Sequence, residues 1–346
     1  MLLFEVIRMD TALAIGGTRF LGRHTVEELL DHDYEVTTLT RGEHENPFAD
    51  RDGVSHYRGD RNDRDALEAA KDAVEPDAVF DFVGHFPRQI EDATSVFADV
   101  DAYVFVSSAS AYRGPPERPF PSPLREGSTP LQACSDEQAA DESDESYGAR
   151  KAECDRICFR AAENGMNAMV VRPVLVYGPH DYTERHDYWL HRVETADRIL
   201  VPGDGDSLVH RVYVADLARA LRIAAERGEP GEAYNAADRQ LTWLDRTLEL
   251  AADALEADPE LVHASSRELA RADLAPMDFP VYSPTPLVAE TDKLATLGWD
   301  STPPAGAMAR TVEEHLESDR TGEALAERGM GVDRGIEKAL IEELAA

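Results

Sequence analysis

The chain contains little lysine, few cysteines and no long apolar run. Its 346 residues include only four lysines, which are Lys71, Lys151, Lys293 and Lys338, so the remaining basic residues are arginines. No stretch approaches the roughly 20 consecutive apolar residues that span a bilayer. Residues 1–8 lack the basic start and the cleavage site of a secretory signal. The sequence therefore predicts a cytoplasmic protein without a membrane segment.

Acidic residues greatly outnumber basic ones. Asp and Glu total 68 against 35 Lys and Arg, which gives a net charge of −33. Such a charge repels polyanions and argues against nucleic acid as a partner. Abundant carboxylates with scarce lysine are also typical of cytoplasmic proteins of salt-loving organisms, where salt screens self-repulsion within about 3 Å at 1 M. We interpret the charge as an adaptation to a halophilic habitat, with a specific cationic partner as the alternative.

The chain has three cysteines, Cys134, Cys154 and Cys158. An odd number of cysteines in a chain without a secretion signal favours reduced thiols over disulfides. Cys154 and Cys158 lie four residues apart on a predicted helix, but no histidine or second cysteine pair completes a zinc-ligand pattern with them. We therefore predict that they are small packed residues and that the chain has no metal site.

The first half of the sequence alternates short β-branched runs with amphipathic segments. The predicted strands are Thr11–Ile15, Glu35–Leu39, Val54–Tyr57, Ala78–Val83, Ala102–Ser107 and Ala168–Arg172. The predicted helices are Phe20–Leu30, Asp63–Ala73, Arg88–Ala98 and Tyr147–Asn164. Short strands separated by longer helices are typical of βαβ units. The pattern predicts an α/β fold with a doubly wound parallel sheet (a Rossmann fold).

After Pro173 the pattern is less regular and predicts a smaller, mostly helical C-terminal region. Val212–Glu226 has the pattern of a strand followed by a helix, and Val281–Pro286 is predicted to be extended. Further helices are predicted at Trp243–Leu255, Glu290–Leu297, Ala305–Glu317 and Gly335–Leu344.

These patterns also suggest domain boundaries. We predict a dinucleotide-binding domain over residues 9–180, completed by about residues 208–240. Residues 181–207 and 241–346 are predicted to form the substrate-binding region.

Two segments before the long helix Tyr147–Asn164 are unlike a packed core. Arg113–Pro130 is rich in proline, and Ser135–Ser146 is dominated by Asp, Glu, Ser and Ala. Such segments bury little apolar surface, and we predict a long surface loop over both. Ligands of doubly wound folds bind at the carboxyl edge of the sheet, where this loop would lie.

A glycine-rich turn directly follows the first predicted strand. Glycines in such a turn let the backbone fold tightly against a pyrophosphate, which the N-terminus of the next helix attracts. A tight connection favours glycine even without a ligand, but the position in a βαβ unit favours the binding function. The predicted cofactor-binding loop consists of Gly16, Gly17, Thr18, Arg19, Phe20, Leu21 and Gly22.

The end of the second predicted strand bears on the choice of dinucleotide. An acidic residue there would accept hydrogen bonds from both ribose hydroxyls and favour NAD. The sequence has the neutral Thr40 followed by Arg41, whose guanidinium can pair with a 2′-phosphate. We predict NAD or NADP as the cofactor, with NADP slightly favoured; the alternative is that Arg41 is only a solvated surface residue.

Tyr147 and Lys151 lie four residues apart, so they share one face of a predicted helix. A lysine ammonium stabilises the phenolate form of a nearby tyrosine. The tyrosine can then take a proton from a substrate hydroxyl as hydride leaves for the cofactor. A lysine is informative in this arginine-rich chain, because only lysine offers a compact and mobile ammonium. We predict that this pair is catalytic.

Three motifs together resemble a known family. They are Gly-Gly-Thr-Arg-Phe-Leu-Gly at residues 16–22, the Tyr-x-x-x-Lys pair, and Arg172–Pro179 after the sixth predicted strand. The sequence resembles the extended short-chain dehydrogenase/reductases, or NAD-dependent epimerase/dehydratase family, over roughly residues 11–240. Arg19 stands where the family has its middle glycine, and Ile15 where it has threonine. This variant resembles a divergent branch that includes reductase-like proteins and chloroplast stem-loop RNA-binding proteins.

The resemblance implies a Ser-Tyr-Lys site and a set of cofactor contacts. The third catalytic residue would be Ser108, which would hydrogen-bond the substrate oxygen, with Ser107 and Ser110 as alternatives. Lys151 would also hold the nicotinamide ribose next to Tyr147. Asp60 would contact the adenine, Val83 and Gly84 would line the adenine–ribose pocket, and Pro173 and Val176 would contact the nicotinamide end. The family also suggests a homodimer.

The Ser-Tyr-Lys site does not by itself select a reaction, because epimerases, dehydratases and reductases share it. Sugar-nucleotide 4,6-dehydratases of the family follow the catalytic residue with Asp-Glu, whereas this chain has Ala109 and Ser110, so dehydration is not expected. Many epimerases of the family bind the substrate diphosphate with an arginine at the position of Val209. The nearby Arg211 is the candidate here, and we predict substrate contacts for His85, Ser110 and Arg211.

We therefore expect an NAD(P)-dependent oxidoreductase or epimerase that transfers hydride at a carbinol or carbonyl carbon of a small molecule, with a nucleotide sugar as candidate substrate. The first alternative is an NADPH-dependent reductase of a small carbonyl metabolite. The others are a dinucleotide sensor without turnover and an RNA-binding relative.

Overall fold

The computed structural model of the protein describes residues 9–113 and 123–345. They form two compact units. The first unit contains the described residues up to Val174, together with Val214–Ala237 and Ala289–Asp300. The second contains Leu175–Tyr213, Asp238–Val288 and the described residues from Ser301 onward.

The strands and helices follow one another along both units. The strands are β1 (Thr11–Ile15), β2 (Glu35–Thr40), β3 (Val54–Arg58), β4 (Ala78–Asp81), β5 (Ala102–Val106), β6 (Ala168–Pro173), β7 (Leu175–Tyr177), β8 (Arg198–Pro202), β9 (Arg211–Tyr213), β10 (Ala233–Ala236) and β11 (Glu260–Ala264). The helices are α1 (Phe20–Leu30), α2 (Arg64–Val74), α3 (Pro87–Val96), α4 (Asp136–Ala140), α5 (Asp144–Glu163), α6 (Asp187–Thr195), α7 (Val214–Arg227), α8 (Leu244–Leu255), α9 (Ser266–Leu269), α10 (Asp292–Thr296), α11 (Pro304–Leu316) and α12 (Arg334–Ala345). None of these helices is long and apolar enough to cross a membrane.

The first unit is built on a seven-stranded sheet in the order β10-β6-β5-β4-β1-β2-β3. Every pairing in it is parallel. The predicted doubly wound fold is thus confirmed. The strand order reverses between β1 and β4, and the loops that leave their carboxyl ends diverge to opposite sides of the sheet. This is the position in which folds of this class bind their ligands.

The apolar runs of β4 and β5 lie in the middle of the sheet, where helices cover both faces. All residues of both strands are buried, including Phe80, Tyr103 and Phe105. Cys154 and Cys158 of α5 are also fully buried in this core, as predicted for small packed residues. Burial raises the pKa of the Cys154 thiol to about 12, so it stays protonated.

The second unit combines helices with two short parallel sheets. One pairs β7 with β9, and the other pairs β8 with β11. Compared with the sequence-based boundaries, this unit also includes residues 175–180, 208–213 and 238–240, whereas residues 289–300 belong to the first unit. The segment predicted to be extended, Val281–Pro286, contains no strand. Val281 has φ +62°, and the Ser283 N–H donates a 3.0 Å hydrogen bond to the Ser207 hydroxyl and not to a strand.

The prediction of a long surface loop before α5 is partly wrong. The part of Arg113–Pro130 at residues 114–122 lies outside the described residues. Ser135–Ser146 contains the short helix α4 and the first turn of α5. The Ser135 hydroxyl accepts a hydrogen bond from the Gln138 N–H, and the Gln138 side chain accepts one from the Ser135 N–H. Acidic sequence near a helix start favours the helix, because carboxylates complement its positive end.

Candidate active site

The glycine-rich loop follows β1 and meets the loop after β4. Gly16 has φ +93°, a conformation that residues with a Cβ rarely adopt. A Cβ on Gly16 would lie 2.7 Å from Cγ1 of Val83. Gly17 and Gly22 are buried, and the side chains of Thr18 and Leu21 are half-buried. The loop therefore leaves room for backbone only, which fits the close approach of a pyrophosphate.

Arg19 precedes α1 in an extended conformation, and Phe20 begins the helix. An arginine side chain only donates hydrogen bonds, so it cannot cap the N–H groups of the first turn. These N–H groups and the positive end of the helix can bind an anion. The Nη1 atom of Arg19 lies 3.1 Å from Nε2 of His44. The residue that stands where the resembled family has its middle glycine thus directs its guanidinium to His44, in the loop after β2.

Arg41 is exposed at the end of β2 and forms a 2.8 Å ion pair with Glu43. Its carbonyl oxygen accepts a 3.1 Å hydrogen bond from Nε of Arg58. Two guanidinium groups thus lie near the carboxyl ends of β2 and β3.

Asp60 and the loop after β4 line the same edge of the sheet. Asp60 is half-buried, and its Oδ1 accepts hydrogen bonds of 2.9 Å from the backbone N–H and the side-chain amide of Asn62. The His85 ring remains partly solvent-exposed. Partial desolvation, together with the ammonium of Lys151, lowers the pKa of His85 to about 4, so its imidazole is neutral at pH 7.

Lys151 lies buried within α5, and its ammonium is held by backbone carbonyl groups of the loop after β4 and of the end of β5. Its Nζ donates hydrogen bonds of 2.8 Å to the carbonyl oxygens of Gly84 and Val106. The same Nζ lies 4.5 Å from the centre of the Phe105 ring and 5.9 Å from the centre of the Tyr147 ring. Tyr147 is half-buried on the preceding turn. The predicted pair is therefore brought together with its ammonium in a fixed position.

Gly148 allows α5 to approach the turn that follows β5. A Cβ on Gly148 would collide with the carbonyl oxygen of Ser110 and with the side-chain amide of Gln132. Ser108 is half-buried in this turn, and its Oγ accepts a 3.1 Å hydrogen bond from the Ser110 N–H. Of the two alternatives, Ser107 is buried and Ser110 is exposed.

Two buried networks that support the site were not predicted from the sequence. In the first, Asp81 at the end of β4 pairs with Arg61 and accepts a 3.0 Å hydrogen bond from the Tyr103 hydroxyl. Asp81 is fully buried. The signal that could have revealed it is a lone carboxylate at the end of an otherwise apolar strand.

The second network begins one turn after Lys151 on α5. Asp155 is fully buried and accepts a 2.7 Å hydrogen bond from Nε of Arg172 on β6. Arg172 donates to the Tyr112 hydroxyl over 2.8 Å, and that hydroxyl donates to Oδ1 of Asn235 over 2.7 Å. The network fixes α5 against the sheet and against the turn that carries Ser108.

Three predicted contact residues lie at or beyond the end of the first unit. Pro173 is buried at the end of β6. Val176 and Arg211 belong to the second unit. Arg211 is buried there, and its guanidinium donates to the Thr242 carbonyl oxygen over 3.1 Å and to the Thr247 hydroxyl. Burial lowers the pKa of Arg211.

The chain is similar to proteins of known sequence and structure. It is 28% identical over 269 residues to the chloroplast stem-loop binding protein of 41 kDa b of Arabidopsis thaliana, a match that covers 74% of this chain and 66% of that protein. The chain thus spans slightly less than two thirds of that relative's length.

Two solved structures share the fold. The dTDP-glucose 4,6-dehydratase of Bacillus anthracis, in complex with NAD, has a TM-score of 0.70 at 15% identity, and the match covers 90% of this chain and 97% of that chain. The UDP-glucose 4-epimerase of Thermotoga maritima, with UDP-glucose, has a TM-score of 0.67 at 20% identity, and the match covers 89% and 99%.

The family model described as the NAD-dependent epimerase/dehydratase family matches residues 12–237, which is more than half of the chain. The matched region contains the glycine-rich loop, the turn with Ser108, and the Tyr147–Lys151 pair. The chain belongs to the NAD-dependent epimerase/dehydratase family of enzymes.

Proposed function

We propose that the protein catalyses reversible hydride transfer at a carbinol or carbonyl carbon, with Tyr147 as the acid–base group. The observation that carries the proposal is the position of the Lys151 ammonium. Carbonyl oxygens of Gly84 and Val106 hold it one helical turn from Tyr147. A purely structural lysine would not require a half-exposed tyrosine beside it at the carboxyl edge of the sheet.

In this proposal, residues of the chain transfer the proton, and a bound dinucleotide would accept or donate the hydride. The Tyr147 phenolic oxygen takes the proton of the substrate hydroxyl, and in the reverse direction it returns that proton. The positive charge of Lys151 stabilises the phenolate. Two of its three N–H donors bind carbonyl oxygens, which leaves one for a ribose hydroxyl. The Ser108 hydroxyl donates to the substrate oxygen as negative charge develops there.

NADP is the cofactor that the end of β2 favours. Thr40, the last residue of β2, has no carboxylate that could accept hydrogen bonds from the ribose hydroxyls. The side chains of Arg41 and Arg58 both lie near this end of the strand. A 2′-phosphate can form charge-assisted, two-pronged hydrogen bonds with a guanidinium. It would compete with Glu43 for Arg41, so NAD remains the alternative cofactor.

A nucleotide sugar is the substrate class that we propose, because nucleotide-sugar enzymes share the fold over nearly their full length. Dehydration is not part of the proposal. Ala109 is buried, and Ser110 carries a hydroxyl where a dehydratase needs a carboxyl group for acid–base work. The contact of Arg211 with a substrate diphosphate and the assembly of a homodimer are likewise proposals. A small carbonyl metabolite reduced by NADPH is the alternative substrate.

The test is to titrate the protein with NADPH and NADH in concentrated KCl, which suits its acidic composition, and to follow the fluorescence of the dinucleotide. Sugar nucleotides and small carbonyl compounds are then screened for turnover. If protein freed of any co-purified dinucleotide binds neither NADPH nor NADH, the proposal is contradicted. A tightly held NAD that does not exchange would favour an epimerase, and an exchangeable NADPH would favour a reductase.

RNA binding is the competing function, because the stem-loop binding protein is a relative. The net charge of −33 opposes association with a polyanion. A filter-binding assay with a structured RNA, at the lowest KCl concentration at which the protein stays folded, separates the two functions, because phosphate contacts strengthen as the salt concentration falls. We expect no binding.

A further inference from the structure

Helix α6 of the second unit places three polar residues on one face. Asp187, His191 and Glu194 follow one another at spacings of four and three, so their side chains point to the same side of the helix. The last turn of α11, in the same unit, brings His315 to this face. Asp187 and His315 are 128 residues apart in the sequence, which explains why no sequence pattern indicated the cluster.

Three of these side chains converge through atoms that bind metal ions. One ligand atom each of His191, Glu194 and His315 lies within 4.8 Å of the other two. Nε2 of His315 is 3.8 Å from Oε2 of Glu194, and Nδ1 of His191 is 3.9 Å from the same oxygen. Ligands at 2.0–2.1 Å from a tetrahedral zinc ion are about 3.3 Å apart. The two distances to the Glu194 oxygen exceed this by about half an ångström, and the ligand atoms of His191 and His315 lie within 4.8 Å of each other. Rotations of the partly exposed His191 and Glu194 side chains can close these gaps.

Asp187 orients the buried histidine of the cluster. Nδ1 of His315 donates a 2.7 Å hydrogen bond to Oδ1 of Asp187, since a carboxylate can only accept. In neutral His315 the proton is therefore on Nδ1, and the lone pair of Nε2 faces Glu194. Metal-binding histidines are commonly held in this way by a carboxylate on their other nitrogen. Nε of Arg320 lies 3.3 Å from the same Asp187 oxygen, so Asp187 acts as the orienting group and not as a ligand.

The exposure of the three side chains also suits a binding site at the surface. The His315 side chain is 3% exposed, whereas those of His191 and Glu194 are 37% and 40% exposed. One ligand is thus fixed, and the other two can close on an ion that arrives from solvent.

We propose that His191, Glu194 and His315 bind a divalent transition-metal ion, with zinc as the representative, and that the ion links α6 to α11. Two imidazole nitrogens and one carboxylate oxygen suit zinc, whereas Mg²⁺ and Ca²⁺ prefer oxygen ligands throughout. Three protein ligands leave the fourth tetrahedral position to water. The ion stabilises the second unit, because it binds the folded arrangement of the two helices and not the unfolded chain.

The test uses the tag-free full-length protein, stripped with EDTA and titrated with Zn²⁺ in a calorimeter. The variants are His191→Ala and Glu194→Gln, because both side chains are partly exposed and their loss leaves the Asp187–His315 hydrogen bond intact. The matched control is His24→Ala on α1. His24 and Glu27 have the same spacing as His191 and Glu194, but among the described residues they do not belong to such a group of three.

We expect the wild-type protein and the control to bind one zinc ion with the same affinity, and each ligand variant to bind at least tenfold more weakly. Zinc should raise the thermal midpoint of the wild type and the control but not that of the variants. Equal affinity in all four proteins, or the absence of one-to-one binding in the wild type, would overturn the proposal. Cobalt(II) provides a second readout: a tetrahedral site gives strong visible absorption, and a weak octahedral spectrum would contradict the assigned geometry.

Discussion

The Nζ atom of Lys151 lies 5.9 Å from the centre of the Tyr147 ring while it donates hydrogen bonds to two backbone carbonyl oxygens, those of Gly84 after β4 and of Val106 at the end of β5. The ammonium is thus not free to swing towards solvent, as exposed lysines do. Its position relative to the phenol is set by β4, β5 and α5 together. This arrangement suits a charge that must act on one oxygen atom throughout a reaction cycle.

Replacement of Tyr147 by Phe removes the oxygen that we propose as the acid–base group and keeps the ring. We expect kcat to fall by about 10²- to 10⁴-fold, while the dissociation constant for NADPH changes little. Steady-state kinetics and fluorescence titration measure the two quantities. Tyr34→Phe is the control, because Tyr34 precedes β2 at the opposite edge of the sheet, where its hydroxyl contacts Glu226. Full activity of Tyr147→Phe would refute the mechanism and leave dinucleotide binding untouched.

Replacement of Lys151 by Met removes the ammonium and keeps much of the side-chain volume. We expect kcat to fall by about 10²-fold or more, because the stabilising charge is lost. Dinucleotide binding should weaken too, since the proposed donor to the ribose disappears. Lys71→Met is the control, because Lys71 binds the Val96 carbonyl oxygen and Asp99 outside the site. If NADPH affinity and kcat both stay unchanged in Lys151→Met, neither role of the lysine holds.

Replacement of Arg41 by Ala tests the cofactor preference. We expect NADPH to bind about tenfold more weakly, the loss typical of a charge-assisted hydrogen bond, and NADH to bind as before. Arg88→Ala is the control, because Arg88 is 90% exposed on α3. If the affinity falls equally for both dinucleotides, or for neither of them, Arg41 does not bind a 2′-phosphate.

Asp141, before α5, gives a pH-dependent contribution to stability. Hydrogen bonds from the hydroxyls of Ser143 and Ser146 and from the Ser143 N–H lower the pKa of Asp141 from 3.8 to about 2. A pKa that is lower in the folded than in the unfolded state stabilises the protein above the unfolded pKa. This contribution is lost as the pH falls from about 4 towards 2.

The difference in unfolding free energy between wild type and Asp141→Asn should therefore be constant from pH 7 to about pH 5 and shrink below about pH 4. Chemical unfolding at a series of pH values measures it. A difference that stays constant down to pH 3 would show that these hydrogen bonds do not favour the charged carboxylate.

Glu337 anchors α12 in the second unit. It is fully buried and forms a 2.9 Å ion pair with Arg192, and its second oxygen accepts a hydrogen bond from the Leu200 N–H. Glu337→Ala leaves the Arg192 charge buried without this partner, so we expect a loss of about 3–5 kcal/mol in unfolding free energy. Glu342→Ala, at an exposed position on the same helix, should change stability by less than about 0.5 kcal/mol. If denaturant titrations give the same change in unfolding free energy for Glu337→Ala and Glu342→Ala, the buried ion pair does not contribute to stability.

The order of strands and helices in the first unit was predictable because it depends on local patterns. The period of apolar residues and the glycine-rich turn after β1 act within a few residues of one another. The short strands β8, β10 and β11 were not predicted. They lie in the less regular part of the sequence after Pro173, where pairing with a distant segment decides whether a short strand forms.

The candidate site was predictable to the same extent and for the same reason. The spacing of Tyr147 and Lys151 by itself places both side chains on one helix face, whatever the rest of the fold. The partners of Lys151 follow only from the packing of α5 against β4 and β5. The same holds for the Asp155–Arg172 pair, since no rule of spacing joins a helix residue to a residue of the next strand.

The sequence alone thus predicted the Tyr147–Lys151 pair and the glycine-rich loop as site candidates and determined the class of fold, because each is a local pattern of spacing or period. Only the tertiary structure decided which backbone oxygens hold the Lys151 ammonium, which buried charges neutralise one another, and that His315 meets His191 and Glu194. Contacts between distant segments depend on the packing of whole helices and strands. The free energy of these contacts depends on the assembled core and cannot be derived from any short stretch of the sequence.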